Sequence, residues 1–242
     1  MFQAAALVLA YPEQELLERL DTIEAALAAT DAAESFAPVL AHLRAAMLPE
    51  LDEGALDEEL GFVKLSHRLA ALQSFHVQEF DLSRRHALHL SYWTDGDTRR
   101  RGEVLAEVKQ VYRDSGLLVD TGGELPDYLP MVLEFAARDP ERGRELLQRF
   151  RASLELIRLG LEKDQLPHAG VLAAICHCLP GESPKTRVEV QARYGDIQPV
   201  EFVGLGSPSL VELDRNRMVE RVETPHLVST SSTSRSAEGD DT

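Results

Sequence analysis

TDGDTRRRGEVLAEVKQVYRDSGL, residues 94–117, reads as one complete helix with its start and stop written out. Asp95-Gly96 supplies turn chemistry, and Asp97 or Thr98 can cap the first helical turn. Val104, Leu105, Val108, Val111 and Tyr112 recur at helical spacing, and Gly116 stands where a left-handed residue ends a helix. The same grammar recurs on both sides, which decides the fold class.

Upstream, residues 2–10 predict a short apolar helix, and Pro12 suits the first turn of the next. Leu16, Leu17, Leu20, Ile23 and Leu27 then share one face, and Ser35 can cap a third helix carrying Phe36, Val39, Leu40 and Leu43. Residues 50–59 read as an acidic loop, and about 55–80 as a further helix. In FDLSRRHALHLSYW (80–93), Asp81 or Ser83 can cap a helix bearing Leu88, Leu90 and Tyr92. Downstream, Pro140 and Pro167 each predict a helix start, and Pro180-Gly181 a stop. Amphipathic helices joined by short loops, without a convincing alternating strand, predict an all-α fold: a single helical bundle domain over residues 1–183. Beyond about residue 181 the helical period fades and Ser, Pro, Thr and acids increase, so 184–242 is expected to be a mostly disordered polar tail.

A hydrophobic share of 44% is that of a folded soluble protein, and the formal net charge is −16. That charge argues against a nucleic-acid partner, because phosphate binding needs clustered Lys and Arg; it permits attraction to a cationic peptide. Two cysteines two residues apart make no disulfide framework, which fits a reducing compartment. The start, MFQAAALVLAYPEQ, lacks a basic leader and is too short to span a bilayer. It reads as the first core helix, and the expected location is cytoplasmic, with no membrane insertion.

Catalytic chemistry has no visible carrier: there is no Gly-rich phosphate loop, nucleophile elbow or HExxH. Cys176-His177-Cys178 resembles a metal fragment, but residues two apart on a helix point about 200° apart. The preferred reading is small residues packed in the last helix, with no metal. The scattered histidines read as solvated or core-edge groups.

Two stretches carry internal conflicts. Arg99, Arg100 and Arg101 crowd a helix N-terminus, where positive charge is unfavourable. Asp95, Asp97 and Glu103 offer local pairs, and Glu124 or Asp127 a distant one. In GGELPDYLPMVLEFAA (122–137), Pro126 and Pro130 cannot both start one regular helix. Either 126–129 form a separate turn with the helix starting near Pro130, or the helix is kinked. Glu124 and Asp127 are then an acid-capped start or a rigid acidic lip beside an apolar groove.

The run from Phe80 to Leu117, followed by ELPDYLPMVLEFAA (124–137), closely resembles the NarJ family of nitrate reductase molybdenum cofactor assembly chaperones, within the TorD-like group. LVLAYP near the start also looks like this family, and the resemblance covers roughly residues 1–180. It implies a TorD-like helical fold without catalytic activity and without a stably bound cofactor. It implies a partner, the apo catalytic α subunit of respiratory nitrate reductase, bound partly through its N-terminal segment. That client would receive bis-molybdopterin guanine dinucleotide before membrane attachment. By position, Tyr92, Asp97, Thr98, Arg99, Arg101 and Gly102 match the family's turn motif, and Glu124, Leu125, Pro126, Asp127, Tyr128, Leu129 and Pro130 its acidic proline motif. The client-binding residues expected from this are Tyr92, Asp97, Arg99, Arg101, Glu124, Leu125, Pro126, Asp127 and Tyr128. His76 departs from the pattern, where an aromatic such as tyrosine is expected. The rival readings are a structural or adaptor subunit whose motifs are internal packing joints, and an all-α metal enzyme.

Overall fold

The computed structural model describes residues 1–45, 68–96 and 98–195. The chain divides into two units, Met1–Val200 and Glu201–Thr242, and the described residues all lie in the first. Among them the secondary structure is helical, and the one β-type pairing is an isolated antiparallel bridge, His89 with Tyr128. The all-α expectation holds.

The helices are α1 (Phe2–Leu9), α2 (Gln14–Glu18), α3 (Leu20–Ala28) and α4 (Ala33–Ala45), then α5 (68–76), which runs into a π-helical turn at Val77–Asp81. They continue with α6 (Leu90–Asp95), α7 (Arg99–Asp114), α8 (Leu129–Arg138), α9 (Pro140–Arg149), α10 (Arg151–Lys163), α11 (Ala169–His177) and α12 (Arg187–Tyr194). The predicted loop at 50–59 and the first part of the predicted 55–80 helix lie outside the described residues.

α10 is the central element, packed against α6, α9, α11 and α12, while α8 lies on α1 and α9. Leu154, Ile157 and Leu161 on α10 are fully buried, and each such side chain contributes roughly 1.5–3 kcal/mol. α8 and α9 approach closely because residue 143 is glycine; a Cβ there would sit 2.2 Å from Ala136 Cα.

Some boundaries differ from the sequence reading for identifiable reasons. The helix expected through Leu16 to Leu27 breaks at Arg19 into α2 and α3. Ser35 lies inside α4; the turn before it is closed by Thr30, whose hydroxyl accepts from Ala32 N–H at 3.3 Å. Residues 82–89 are not helical, and the helix expected from Asp81 or Ser83 begins only at Leu90. Their backbone bonds go elsewhere: Leu90 N–H donates to the Asp127 carbonyl (3.1 Å) and Leu129 N–H to the Leu88 carbonyl (2.9 Å). The two prolines resolve as a separate turn, closed by Tyr128 N–H to the Leu125 carbonyl (3.0 Å), before a helix with Pro130 in its first turn.

α12 lies within the segment expected to be polar tail. Its Thr186 cap accepts from Glu189 N–H at 3.2 Å, Val190 is buried, and the helix packs on α10. Polar composition misleads here because the chain before α12 is held by buried arginines as well as by the few apolar side chains it buries, such as Pro184. Arg151 donates to the carbonyls of Pro180 (3.3 Å) and Gly181 (3.4 Å), and Arg158 to that of Pro184. Residues 196–242 of the expected tail lie outside the described residues.

Candidate functional site

The two stretches singled out by the sequence meet in one polar joint. The backbone crossing of 88–90 with 127–129 brings Asp127 against the first turn of α6, and Asp127 is fully buried. Its Oδ2 accepts from Ser91 N–H (2.8 Å) and from the Ser91 hydroxyl (2.6 Å). The same hydroxyl accepts from Arg101 Nε at 3.1 Å, so α7 reaches Asp127 through Ser91. His89 Nδ1 faces the other carboxylate oxygen at 3.5 Å, an electrostatic contact longer than a well-formed hydrogen bond. Burial opposes ionisation of Asp127, but His89 and the two Ser91 donors outweigh it and hold the carboxyl below its usual range.

Further bonds fix the joint on all sides. Tyr112 of α7 donates its hydroxyl to the Pro126 carbonyl (2.7 Å), and Ser153 of α10 donates to the Leu90 carbonyl (2.7 Å). Burial, with the Asp127 charge adding to it, raises the Tyr112 pKa far above its ordinary value, so the phenol stays a donor. Trp93 Nε1 donates to the Ala87 carbonyl at 2.9 Å, closing the segment before α6 on itself.

The arginine conflict at the start of α7 is met by both local and distant partners. Arg100 Nε lies 3.1 Å from the buried Asp95, whose carboxylate also accepts from Thr94 at 2.7 Å. Thr98 occupies the N-cap position with its hydroxyl turned back to the Asp95 carbonyl (2.8 Å). Arg101 is tied to Ser91.

Of the expected client-binding residues, Pro126 and Asp127 are buried, Tyr92, Arg101 and Tyr128 are half-buried, and Arg99, Glu124 and Leu125 are exposed. Asp97 lies outside the described residues. The Asp127 carboxylate thus faces its own chain, not solvent as a lip would require. Glu124 stays at the surface, 3.9 Å from His89 Nε2. Tyr128 packs its ring 5.4 Å from that of His89.

Sequence reasoning missed Ser91 and His89, which are joined to Asp127 only by the fold. It also missed a buried charge ladder on α10. Glu155 is fully buried, accepting from Arg151 Nε (2.9 Å) and Arg158 Nε (2.6 Å), and Arg158 continues to Glu162 at 2.7 Å. Burial opposes the Glu155 charge, but Ser183 and the arginines overcome it and lower its pKa. The spacing of Arg151, Glu155, Arg158 and Glu162 along one helix face was the available signal.

The histidines correct the expectation of solvated or core-edge groups: His76, His86 and His168 are buried. His86 sits between Glu79 (3.3 Å) and Asp164 (2.9 Å). His168 lies beside Phe75, Phe80 and His42, and burial together with nearby His42 and His76 pulls its pKa down to about 3. Cys176 is buried and its thiol pKa is pushed up to about 12 by burial, whereas Cys178 is exposed. Among the described residues, no group of three His, Cys, Asp or Glu side chains is placed to hold a metal ion.

Residues 39–174, which contain the whole joint, match the family described as nitrate reductase delta subunit. The chain belongs to that family. The chain is also similar to several curated proteins. It is 45% identical over 102 residues to the nitrate reductase-like protein NarX of Mycobacterium tuberculosis H37Rv, covering 42% of this chain and 16% of that one. The chain thus spans about a sixth of the length of this much longer relative. It is 32% identical over 125 residues to a Bacillus subtilis protein named "Probable nitrate reductase molybdenum cofactor assembly chaperone NarJ", covering 51% of this chain and 67% of that one. It is 33% identical over 94 residues to the Escherichia coli K12 nitrate reductase molybdenum cofactor assembly chaperone NarJ, covering 39% of each.

Proposed function

We propose that this chain is a cytoplasmic, non-catalytic assembly chaperone for nitrate reductase. It binds the apo catalytic α subunit, including that subunit's N-terminal segment, and assists molybdenum cofactor insertion before membrane attachment. The observation that carries this reading is the match to the Bacillus subtilis protein with a chaperone name, which extends over 67% of that protein. Among the described residues no helix is long and apolar enough to cross a membrane. The cofactor, bis-molybdopterin guanine dinucleotide, belongs to the client in this reading, and the chaperone supplies the surface that holds the acceptor.

The buried joint supports a division of labour within the motif. Pro126, Asp127, Ser91 and Arg101 set the backbone, while Glu124, Leu125 and Arg99 remain at the surface as candidates for client contact. A second reading, a structural or adaptor subunit whose motifs are internal packing joints, is favoured by the burial of Asp127 against Ser91, which Arg101 also reaches. Affinity purification of the tagged chain from anaerobic, nitrate-grown cells separates the two. The chaperone reading expects the α subunit without the other subunits of the mature enzyme. Recovery with the complete membrane-bound enzyme favours the adaptor, and absence of the α subunit overturns the chaperone.

A further inference from the structure

Residues 180–194 form a unit closed by its own bonds. Thr186 caps α12 by accepting from Glu189 N–H at 3.2 Å, and the Glu189 carboxylate accepts in return from Lys185 N–H at 2.8 Å. Arg193, near the far end of α12, donates back to the Glu182 carbonyl. Gly181 and Gly195 bound the unit with φ of +93° and +70°, conformations that residues with a side chain rarely adopt.

Three kinds of contact hold this unit on the core. Arg151 donates to the carbonyls of Pro180 and Gly181 and to the Ser183 hydroxyl (3.2 Å), and Arg158 donates to the Pro184 carbonyl. The Arg187 guanidinium lies 5.6 Å from the centroid of the Trp93 ring. Pro184 and Val190 are buried, whereas Val188 on the outer face is 77% exposed. An eight-residue helix is too short to persist alone in water, so α12 depends on these contacts to form.

The arginines do not need the unit in return. Arg151 also donates to Glu155 at 2.9 Å, and Arg158 to Glu155 (2.6 Å) and Glu162 (2.7 Å). Lifting the unit leaves each guanidinium with a carboxylate, and the released carbonyls turn to water. Stripping a buried charge of its only partner is what makes such a separation costly, and that cost does not arise here. The loss is a few hydrogen bonds, one cation–π contact and the burial of Pro184 and Val190. On α10, by contrast, Leu154, Ile157 and Leu161 are all fully buried. The unit therefore stands at the low end of the molecule's local stabilities.

Trp93, Arg151 and Arg158, which the unit covers, lie within residues 39–174 that match the family, and the unit itself lies beyond them. Trp93 is 2% exposed beneath it. Tyr194 lines one side of a cavity of about 320 Å³ whose other walls include Thr94, Asp95, Arg100, Arg149 and Phe150. We propose that residues 180–194 are a strap that swings off as one piece while the rest of the core stays folded, uncovering Trp93, the two guanidinium groups and this cavity. The device belongs to the fold and stands whether the chain serves as chaperone or adaptor.

Hydrogen exchange on the full-length chain tests the strap, read at amides bonded within α12, such as Val190 N–H to the Thr186 carbonyl (3.1 Å). These amides should exchange about 100-fold faster or more than those of residues 154–161, with little dependence on urea, as a local opening requires. Trp93 is the chain's single tryptophan and reports the same event. Val190→Asp should raise acrylamide quenching of Trp93 and leave the exchange of the α10 amides as in wild type. Arg187→Gln should raise the quenching without touching the buried apolar face, and Val188→Asp, on the exposed face, should change neither readout. Equal rates and equal urea dependence for the α12 and α10 amides in wild type would overturn the strap, because the segment would then open only with the whole fold. A Val190→Asp chain that loses α10 protection together with that of α12 overturns it as well. Faster α12 exchange with unchanged quenching in both Val190→Asp and Arg187→Gln would overturn the claim that the strap covers Trp93.

Discussion

Replacing Asp127 by alanine tests whether the acidic proline motif holds the fold or greets a partner. The side chain is 0% exposed and accepts two hydrogen bonds from Ser91, at 2.8 and 2.6 Å. Hydrogen bonds to a charged group contribute about 1.5–3 kcal/mol each, and a buried donor left without its acceptor costs about 1–3 kcal/mol. His89 Nδ1, 3.5 Å from the lost carboxylate, and Arg101, which reaches Ser91, also lose the charge they face. These effects overlap and do not add, so the expected loss is about 3–5 kcal/mol, the range for breaking a buried pair. At about 2–4 °C per kcal/mol for a domain of this size, the melting midpoint should fall by about 10 °C. Asp127→Asn keeps an acceptor for Ser91 and should lose less than half as much. Urea unfolding followed by circular dichroism reads both. The linkage is directional: a lowered carboxylate pKa gives stability that is present above the unfolded value and lost as pH falls through the folded one. The gap between wild type and Asp127→Ala should therefore narrow only as pH drops below the ordinary 3.8 of an aspartate. A loss under about 1 kcal/mol, with client binding abolished, would refute the joint and restore the acidic lip.

The buried titrating groups make further predictions. His168 is neutral in the fold with a pKa of about 3, against 6.5 when unfolded, so the unfolded state binds the extra proton between those values. Its contribution is fully present above pH 6.5 and declines as pH falls toward 3, with a slope of up to about 1.4 kcal/mol per pH unit. The pKa values of His42 and His76 are also lowered by burial, so they act in the same direction. Denaturation midpoints measured from pH 7 to 5 should fall for wild type and fall less for His168→Gln; equal slopes would contradict this. Arg151→Ala removes a buried partner of Glu155 and frees the carbonyls of Pro180 and Gly181. It should cost about 3–5 kcal/mol and open the segment before α12 to limited proteolysis. Unchanged cleavage there would mean the ladder does not hold α12.

How much of the fold and the joint was legible in the sequence depends on how far apart the determining residues stand. α7 was readable because turn, cap, period and stop all lie within one segment. The delayed start of α6 was not, because residues 88–90 spend their backbone bonds on 127–129. Asp127 posed the same difficulty: its partner Ser91 is 36 positions away, so an acid beside a proline could equally face solvent. The ladder on α10 was visible as a charge pattern, but only packing from α6, α9, α11 and α12 makes it a buried one. α12 was lost to composition, since Val190 is its one buried apolar residue and the chain before it is also tied down through carbonyls held by arginines. The resemblance was carried by the two motifs, whereas the role of each motif residue came from the fold.

The central claim is that this chain holds the catalytic subunit before its cofactor is in place, and the molybdenum content of the co-purified α subunit tests it most directly. Elemental analysis of that complex should find molybdenum far below one atom per α subunit. A full complement of molybdenum in the bound subunit would contradict the account.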